Sequence, residues 1–572
     1  MKKPLSKKAK IVIISSVAAF VVLALVLSLS LYFTVGAANI IGLDIEVSQI
    51  DDTQSINVKW DTAANVDEII ITVKNSSKET VSQVTLATPS AVMKKSAQIE
   101  THYGKMSVEV TAKRKSLSTK QTASINLFAD EYVIAPLVAT MPVTFFSLSL
   151  KDYSNDYTIP TFVWLERGGA WDYSNMHENV YLIPNLSFDR DALYTDIYDL
   201  YDGASEWIKE LYEINPSSKF HLYYNDYHPW GWMQATVANG IPSENYDVTL
   251  LSDGTGSYYA FSYYLNRENS DELFTAMCAD YRKLKSQIAD KGAYKKNDNK
   301  LAINTQQLRN YVFCMLTEEQ NVKLVLARDF ITNDMPKDNP MRPTFLELIS
   351  NADAPDRPIQ IRSMYSLLTA MSEQEKADLQ RLYKFSDNMF EKAVQENKKV
   401  MVFLGTRTDY EIDFDSYVKA TMAYYGDEYV YYYKGHPGTA TQMDPDKGKR
   451  LEALGLIDID STIAAELIFF FNQEACASGY GSSTYNSLLD DQVCGVWNTA
   501  LSGVNSEYKD KVDFTIRTLG ADDAVYGSLA SGSCFLFEFA DKTKYDAAVY
   551  YKDQNAIKYY KLSGDGFVEV SK

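Results

Sequence analysis

Cysteine and histidine are both scarce in this chain, which has only five of each among its 572 residues. No two cysteines form a C-x-x-C pair, and their wide spacing gives neither a zinc site nor a disulfide framework. We therefore expect all of them to be buried core thiols. The five are Cys278, Cys314, Cys476, Cys494 and Cys534.

A net positive charge and the common nucleotide-binding fingerprints are also missing. The formal net charge of −19 argues against nucleic acid or an anionic membrane surface as a general partner. The chain has no G-x-G-x-x-G or Walker A sequence, which weighs against NAD and ATP chemistry. Among the D-x-D sequences, those that begin at Asp413 and Asp458 each precede a predicted helix, where carboxylates are favourable without a metal.

A long uncharged segment follows a basic N-terminus. Residues 1–10 contain five lysines, and residues 11–35 contain no charged residue. This uncharged segment is long enough to span a bilayer. We predict an uncleaved signal anchor at 11–35, with residues 1–10 in the cytoplasm and the bulk of the chain outside the membrane. A cleaved signal peptide ending at the small residues 35–38 is the alternative.

Residues 38–130 contain short segments in which polar and apolar residues alternate. Examples are SINVKWD, EIIITVKN and MSVEVTAKR, separated by turn sequences such as Asn75-Ser76-Ser77. This pattern predicts a small β-sandwich of the immunoglobulin or fibronectin-III type, with Trp60 in its core.

From residue 131 onward, strand-like segments alternate with helix-like ones. The strands include FHLYYND, VTLLSDG, VMVFLG and EYVYYYKG, and helices are predicted at 193–214, 270–291 and 373–396. This alternation predicts two Rossmann-like α/β domains that face a cleft, at 131–318 and 319–572.

Three short motifs carry candidate chemistry. An aromatic strand ends in Lys434-Gly435-His436-Pro437, a turn whose backbone, lysine and histidine suit an anion. Asp253 follows the buried strand VTLL, and the carboxyl end of a strand is where open α/β sheets present catalytic groups. Ser482 and Ser483 open a predicted helix, whose free N–H groups could bind a phosphate.

In its order and spacing, this motif series resembles the bacterial sialyltransferases of glycosyltransferase family 80, the Pasteurella and Photobacterium type. The family has an Asp-Gly motif, then KGHP, a glutamate and a serine pair, matched here by Asp253, residues 434–437, Glu466 and residues 482–483. We place the resemblance at about residues 220–500. It implies the GT-B architecture, here preceded by the predicted membrane helix and immunoglobulin-like domain.

The resemblance also implies a reaction and roles for named residues. The donor would be CMP-sialic acid and the acceptor a galactoside hydroxyl, with transfer by inversion and without a metal or other cofactor. Asp253 would be the general base, and His436 would stabilise or protonate the leaving phosphate. Glu466 would accept hydrogen bonds from the ribose, with Glu474 as the alternative for that role. The other donor-side candidates are Gly405, Thr406, Thr408, Lys434, Gly435, Pro437, Ser482 and Ser483.

On the acceptor side the candidates are Asn225, Asp226, Trp230 and Tyr410. The chain departs from the family where Ser252 precedes Asp253 in place of a second acidic residue. Tyr410 also stands one position away from the usual tryptophan after the Gly-Thr loop.

Two other functions stay open from the sequence. One is a GT-B transferase that uses another CMP-sugar, such as Kdo, or another nucleotide sugar. The other is a surface protein that binds glycans without catalysis. We expect a bacterial, single-pass membrane protein whose partners are a CMP-sugar, a glycan acceptor and the membrane.

Overall fold

The computed structural model of the protein describes residues 22–23, 42–62, 66–87, 94–154, 158–166, 170–184, 186, 197–253, 256–265, 267–291, 309–386, 388–405, 413–436, 446–480, 482–497, 512–564 and 566–572. It divides into two compact units, residues 1–130 with 210–218, and residues 131–209 with 219–572. Within the described part, none of the helices has the length and hydropathy that a bilayer-spanning segment needs. The predicted anchor at 11–35 lies outside the described residues, apart from Val22 and Leu23.

The first unit contains two antiparallel sheets. A sheet of three strands has the order β1-β2-β5, and a sheet of four has the order β4-β3-β6-β7. Apolar side chains such as Val58, Trp60 and Ile71 are buried on alternate positions of their strands, as the sequence predicts. The immunoglobulin-type topology stays a prediction. The strands are β1 (Leu43–Gln49), β2 (Ser55–Thr62), β3 (Glu68–Lys74), β4 (Thr80–Ala87), β5 (Ser96–Glu100), β6 (Gly104–Arg114) and β7 (Leu117–Leu127).

The second unit contains two larger sheets, of which the first has seven parallel strands in the order β10-β9-β8-β11-β12-β13-β14. Its central strands are almost continuously apolar because both faces are covered. The strands are β8 (Glu131–Leu137), β9 (Thr161–Leu165), β10 (Val180–Leu182), β11 (Lys219–Asn225), β12 (Tyr246–Leu251), β13 (Val322–Leu326) and β14 (Ile359–Ile361).

The second sheet has ten strands in the order β17-β16-β15-β18-β19-β20-β21-β22-β23-β24. Strands β15 to β20 are parallel, whereas β21 to β24 add an antiparallel meander that was not among the sequence-based predictions. The strands are β15 (Lys399–Leu404), β16 (Tyr429–Lys434), β17 (Ile457–Ile459), β18 (Cys476–Tyr480), β19 (Val493–Trp497), β20 (Phe514–Leu519), β21 (Cys534–Phe539), β22 (Ala547–Tyr551), β23 (Ala556–Ser563) and β24 (Gly566–Val570).

The predicted division between residues 318 and 319 needs correction. Strands β13 and β14 lie after that point, yet β13 pairs with β12 in the first sheet. The second sheet begins only at Lys399. A buried parallel strand has the same apolar sequence pattern in either sheet, so its local sequence does not reveal which sheet it joins. The coarser description, a mixed α/β unit with two largely parallel sheets, holds.

Helices connect and cover the strands of the second unit. The predicted helix 270–291 is present with those bounds, whereas 373–396 is divided, because Lys384 adopts a left-handed φ of 55° after the first part ends. The helices are α1 (Thr140–Ser154), α2 (Ile197–Ile214), α3 (Gly231–Ala235), α4 (Gly256–Ser262), α5 (Ser270–Lys291), α6 (Val312–Glu318), α7 (Phe330–Asp334), α8 (Arg342–Leu348), α9 (Met364–Ala370), α10 (Glu373–Leu382), α11 (Glu391–Glu396), α12 (Phe414–Tyr425), α13 (Lys447–Leu454) and α14 (Ala465–Phe471).

One hydrophobic cluster joins elements of both sheets of the second unit. Leu251 at the end of β12 and Val325 in β13 belong to the same buried cluster as Ala464 and Leu467 beside or in α14. The Tyr383 hydroxyl also bonds the Ser147 hydroxyl of α1 at 2.8 Å. This shared core fixes the ends of strands in the first sheet against a helix of the second.

The five cysteines are free thiols, and all but Cys476 are buried. The four buried ones are core residues, as the sequence predicts, whereas Cys476 is partly buried and packs against a hydrophobic cluster.

Candidate functional site

The first group of candidate residues lies at the carboxyl ends of two neighbouring parallel strands. Asn225, the last residue of β11, is in register with Leu251, the last residue of β12. Asp226 and Asp253 follow these strands directly or after one residue, so the sheet itself brings the two carboxyl groups to one edge.

Asp226 is fully buried and Asp253 is partly exposed. The Asp253 backbone N–H donates to Asp226 Oδ1 at 2.9 Å, and the Ser257 N–H donates to Asp226 Oδ2 at 2.8 Å. The Ser257 hydroxyl donates to the same Oδ2. Burial, together with the negative charge of Asp253, raises the pKa of Asp226 well above its ordinary value. Asp226 is therefore engaged inside the protein, and Asp253 is the more accessible carboxyl group.

Asn225 and Trp230 are also buried, at 1% and 3% exposure. The Asn225 amide donates to the Val138 carbonyl at 3.3 Å and its oxygen accepts the His228 N–H at 3.0 Å. The Trp230 ring packs edge-on against Tyr201, with centroids 5.0 Å apart. These two predicted acceptor residues hold the turn after β11 in place.

The second group lies at the carboxyl ends of β15, β16 and β18. Leu404 is in register with Lys434 on one side and with Gly479 on the other. Gly405, His436 and Ser482 follow these three strand ends, and the Gly405 N–H donates to the Lys434 carbonyl at 3.0 Å. His436 is partly exposed.

Lys434 is buried, with 3% exposure. Its ammonium donates to the Gly435 and Ser461 carbonyls, each at 2.9 Å. These bonds tie the turn that carries His436 to the segment before α14. The geometry therefore gives Lys434 a structural part in the turn.

Glu466 lies in the first turn of α14 and is 3% exposed. Its carboxylate accepts a hydrogen bond from the Thr484 hydroxyl at 2.9 Å. The Thr484 N–H in turn donates to the Ser482 hydroxyl at 3.3 Å. Burial is the main cause that raises the pKa of Glu466, and a backbone hydrogen bond, the Thr484 hydrogen bond and the charge of Lys434 partly oppose it.

This network settles which glutamate lies beside the serine motif. Glu474, the alternative, is exposed and follows the end of α14, whereas Glu466 is bonded to Thr484. Thr484 was not among the predicted residues. A threonine two positions after the first serine of a pair has no distinctive signal, so only the fold could identify it.

Several predicted residues lie outside the described part of the chain. They are Thr406, Thr408, Tyr410 and Pro437, together with the side chain of Ser483.

A cavity of about 300 Å³ lies between α1, residues 171–180 and α10. Its lining includes Trp171, His177 and Leu379, and none of the predicted site residues. Among the described residues, no group of three or more histidine, cysteine or acidic side chains could hold a metal ion.

No protein-family model and no curated protein matches this chain. Solved structures to which it is similar include the sialyltransferase of Photobacterium damsela (12% identity, 80% of this chain and 97% of that one, TM-score 0.46). A second is the 2,6-sialyltransferase of Photobacterium sp. JT-ISH-224 with CMP and lactose (13% identity, 82% and 92%, TM-score 0.49). A third is the α/β-galactoside α-2,3-sialyltransferase of Photobacterium phosphoreum (12% identity, 67% and 95%, TM-score 0.48). The type of enzyme that the motif series resembles is thus among the structures similar to this chain.

Proposed function

We propose that this protein is an inverting sialyltransferase of the GT-B architecture that moves sialic acid from CMP-sialic acid to a galactoside hydroxyl. The observation that carries the proposal is the bonded series Glu466–Thr484–Ser482 beside the turn of His436. Hydrogen bonds join Glu466 to the serine motif through Thr484, and the Lys434 ammonium of the neighbouring turn bonds the Ser461 carbonyl in the segment before α14.

The proposed chemistry follows from the charges that develop during transfer. As the bond to the anomeric carbon breaks, negative charge grows on the departing CMP phosphate. His436 and the Ser482 hydroxyl would donate hydrogen bonds to that phosphate, and Glu466 would accept hydrogen bonds from the ribose. These donors would carry the phosphate charge without a metal ion.

On the acceptor side, Asp253 would take the proton of the attacking hydroxyl. It is the partly exposed member of the Asp226–Asp253 pair, so it is the one that a substrate could reach. Direct displacement by one acceptor oxygen inverts the anomeric centre.

The nucleotide half of this proposal can be tested by calorimetry with the full-length protein in detergent. We expect CMP to bind more tightly than UDP, and Glu466→Ala to weaken CMP binding at least tenfold. Glu474→Ala is the matched control, because Glu474 is exposed and should leave the affinity unchanged. Equal binding of CMP and UDP, or equal effects of the two variants, would contradict the assignment.

We also propose that residues 11–35 anchor the chain in the membrane, with residues 1–10 in the cytoplasm and the chain after residue 35 outside it. Alkaline extraction of bacterial membranes tests the anchor, and protease added to intact spheroplasts tests the orientation. Recovery of the chain in the soluble fraction would contradict the anchor, and protection from protease would contradict the orientation.

A further inference from the structure

Asp226 is the most deeply buried acidic group at the first strand edge, with no exposed surface. A carboxylate removed from water costs free energy unless hydrogen bonds compensate it. Here three donors, two of them backbone N–H groups, offset part of that cost. Burial and the charge of Asp253 raise the pKa of Asp226, which means that the folded protein disfavours the ionised carboxylate despite these hydrogen bonds.

The three donors come from the two ends of one short segment. Oδ1 accepts the N–H of Asp253, at the start of residues 253–257, at 2.9 Å. Oδ2 accepts the N–H of Ser257, at the end of that segment, at 2.8 Å, and also the Ser257 hydroxyl. One carboxylate therefore clamps both ends of the segment that carries Asp253.

Asp226 is itself fixed by the sheet. Its backbone N–H donates to the Leu251 carbonyl at 3.0 Å, which continues the pairing of β11 with β12. The Asp226 side chain therefore links the Asp253 backbone to the end of the parallel sheet.

We propose that Asp226 is a positioning residue that sets the location of Asp253 for proton abstraction from the acceptor. This inference rests on the proposed function. It replaces the expectation that Asp226 contacts the acceptor directly, because its side chain has no exposed surface and its two oxygens are used internally.

The clamp requires two acceptor oxygens, which explains why the residue is an aspartate. The substitution Asp226→Asn leaves one acceptor oxygen and replaces the other with an NH₂ donor. With Oδ1 kept on the Asp253 N–H, the new donor would face the N–H and O–H of Ser257. One end of the segment would then be released while the side-chain volume stays the same. Misplacement of a catalytic group by about 1 Å costs on the order of 10²-fold in rate.

The test uses the full-length protein in detergent with CMP-sialic acid and lactose. For Asp226→Asn we expect kcat to fall about 10- to 100-fold, with the KM for CMP-sialic acid and the dissociation constant of CMP within about twofold of wild type. Ser257→Ala should lower kcat about 3- to 10-fold, whereas Ser257→Thr, which keeps the hydroxyl, should retain it. Asp247→Asn is the control, because Asp247 lies at the opposite end of β12.

A double variant tests whether Asp226 and Ser257 affect the rate through the same contact. Asp226→Asn and Ser257→Ala together should cost less than the product of the two single losses, because they break the same contact. If Asp226→Asn does not fold, the kcat of Ser257→Ala tests the inference, because this variant removes only one hydroxyl group.

The inference is overturned if Asp226→Asn or Ser257→Ala retains wild-type kcat. It is also overturned if kcat and CMP affinity fall together by the same factor, which a merely structural role would produce. A wild-type protein that transfers no sialic acid would overturn the proposed function first, and the inference with it. An active wild type with fully active variants would overturn this inference alone.

Discussion

At the scale of single residues, Glu466 has a proposed role in ribose binding, and burial of its ionised carboxylate lowers the stability of the fold. Burial raises its pKa above the ordinary 4.5, so the folded protein binds this proton more tightly than the unfolded chain does. The contribution of Glu466 to stability is therefore present at low pH and lost as the pH rises through the raised, folded-state pKa.

We predict that Glu466→Gln is more stable than wild type at about pH 8, because it removes the buried charge and keeps an acceptor for Thr484. The difference in the free energy of unfolding should shrink towards zero at about pH 4, where wild-type Glu466 is protonated in the folded protein and largely so in the unfolded chain. Urea unfolding at several pH values measures it. A variant less stable than wild type at about pH 8 would show that the ionised carboxylate is stabilising.

His436 gives a prediction about rate. His436→Ala should lower kcat for transfer on the order of 10²- to 10⁴-fold, the range for a positioned acid–base group. His177→Ala is the matched control, since His177 lies beside the separate cavity near α10. Initial rates of CMP release measure both variants, and equal rates for them would remove His436 from the mechanism.

At the scale of secondary-structure elements, Gly479 lets β18 approach β15. Its φ is +118°, and an added Cβ would lie 2.5 Å from the Leu404 carbonyl oxygen. Leu404 precedes Gly405, and Gly479 precedes the serine motif by three residues, so this contact sets the spacing of two predicted donor loops.

We expect Gly479→Ala to destabilise the protein by about 3 kcal/mol through backbone strain and overpacking. In Gly448→Ala, the control, the new Cβ on α13 meets nothing within 4 Å, and the change should be neutral or stabilising. Thermal unfolding of both variants makes the comparison. Similar stability of the two would mean that β18 adjusts freely.

Three strands meet at His221, at the edge opposite to the predicted base. His221 of β11 contacts Asp247 of β12 at 2.7 Å and Glu131 of β8 at 3.4 Å. The hydrogen bond with Asp247 is the main cause that raises the pKa of His221 above 6.5. The stabilisation is complete below the unfolded pKa of about 6.5 and is lost as the pH rises through the folded value.

His221→Gln should therefore lose more stability relative to wild type at about pH 5.5 than at about pH 9. Because the groups are partly exposed, we expect a difference of about 1 kcal/mol or less. Urea unfolding at the two pH values measures it. If the stability lost in His221→Gln grew with pH, the stabilisation would not come from a protonated His221.

Local sequence predicted the strand ends and missed the pairings across the fold. The strand before Asp253 and the strand before His436 are recognisable because apolar β-branched or aromatic residues end in a turn. The contact of Asp226 with Ser257 and that of Glu466 with Thr484 join residues 31 and 18 positions apart. Such contacts depend on which strands become neighbours, and hydrophobic patterns do not encode that choice.

At the scale of the whole molecule, one proposed half-site lies on each large sheet of the second unit. The cluster that contains Leu251 and Val325 also contains Ala464 and Leu467. The strand end before Asp253 and the helix bearing Glu466 therefore share one core. This arrangement suits a transfer reaction, which must hold an acceptor base and a nucleotide site in fixed relation.

The most direct test of the central claim is a transfer assay. Full-length protein in detergent is incubated with CMP-sialic acid, lactose and excess EDTA, beside Asp253→Asn. We predict that wild type releases CMP and forms sialyllactose in equal amounts, and that Asp253→Asn forms none while still binding CMP. Saturable lactose binding with no CMP release, with or without added divalent cations, would contradict the claim and favour a glycan-binding protein.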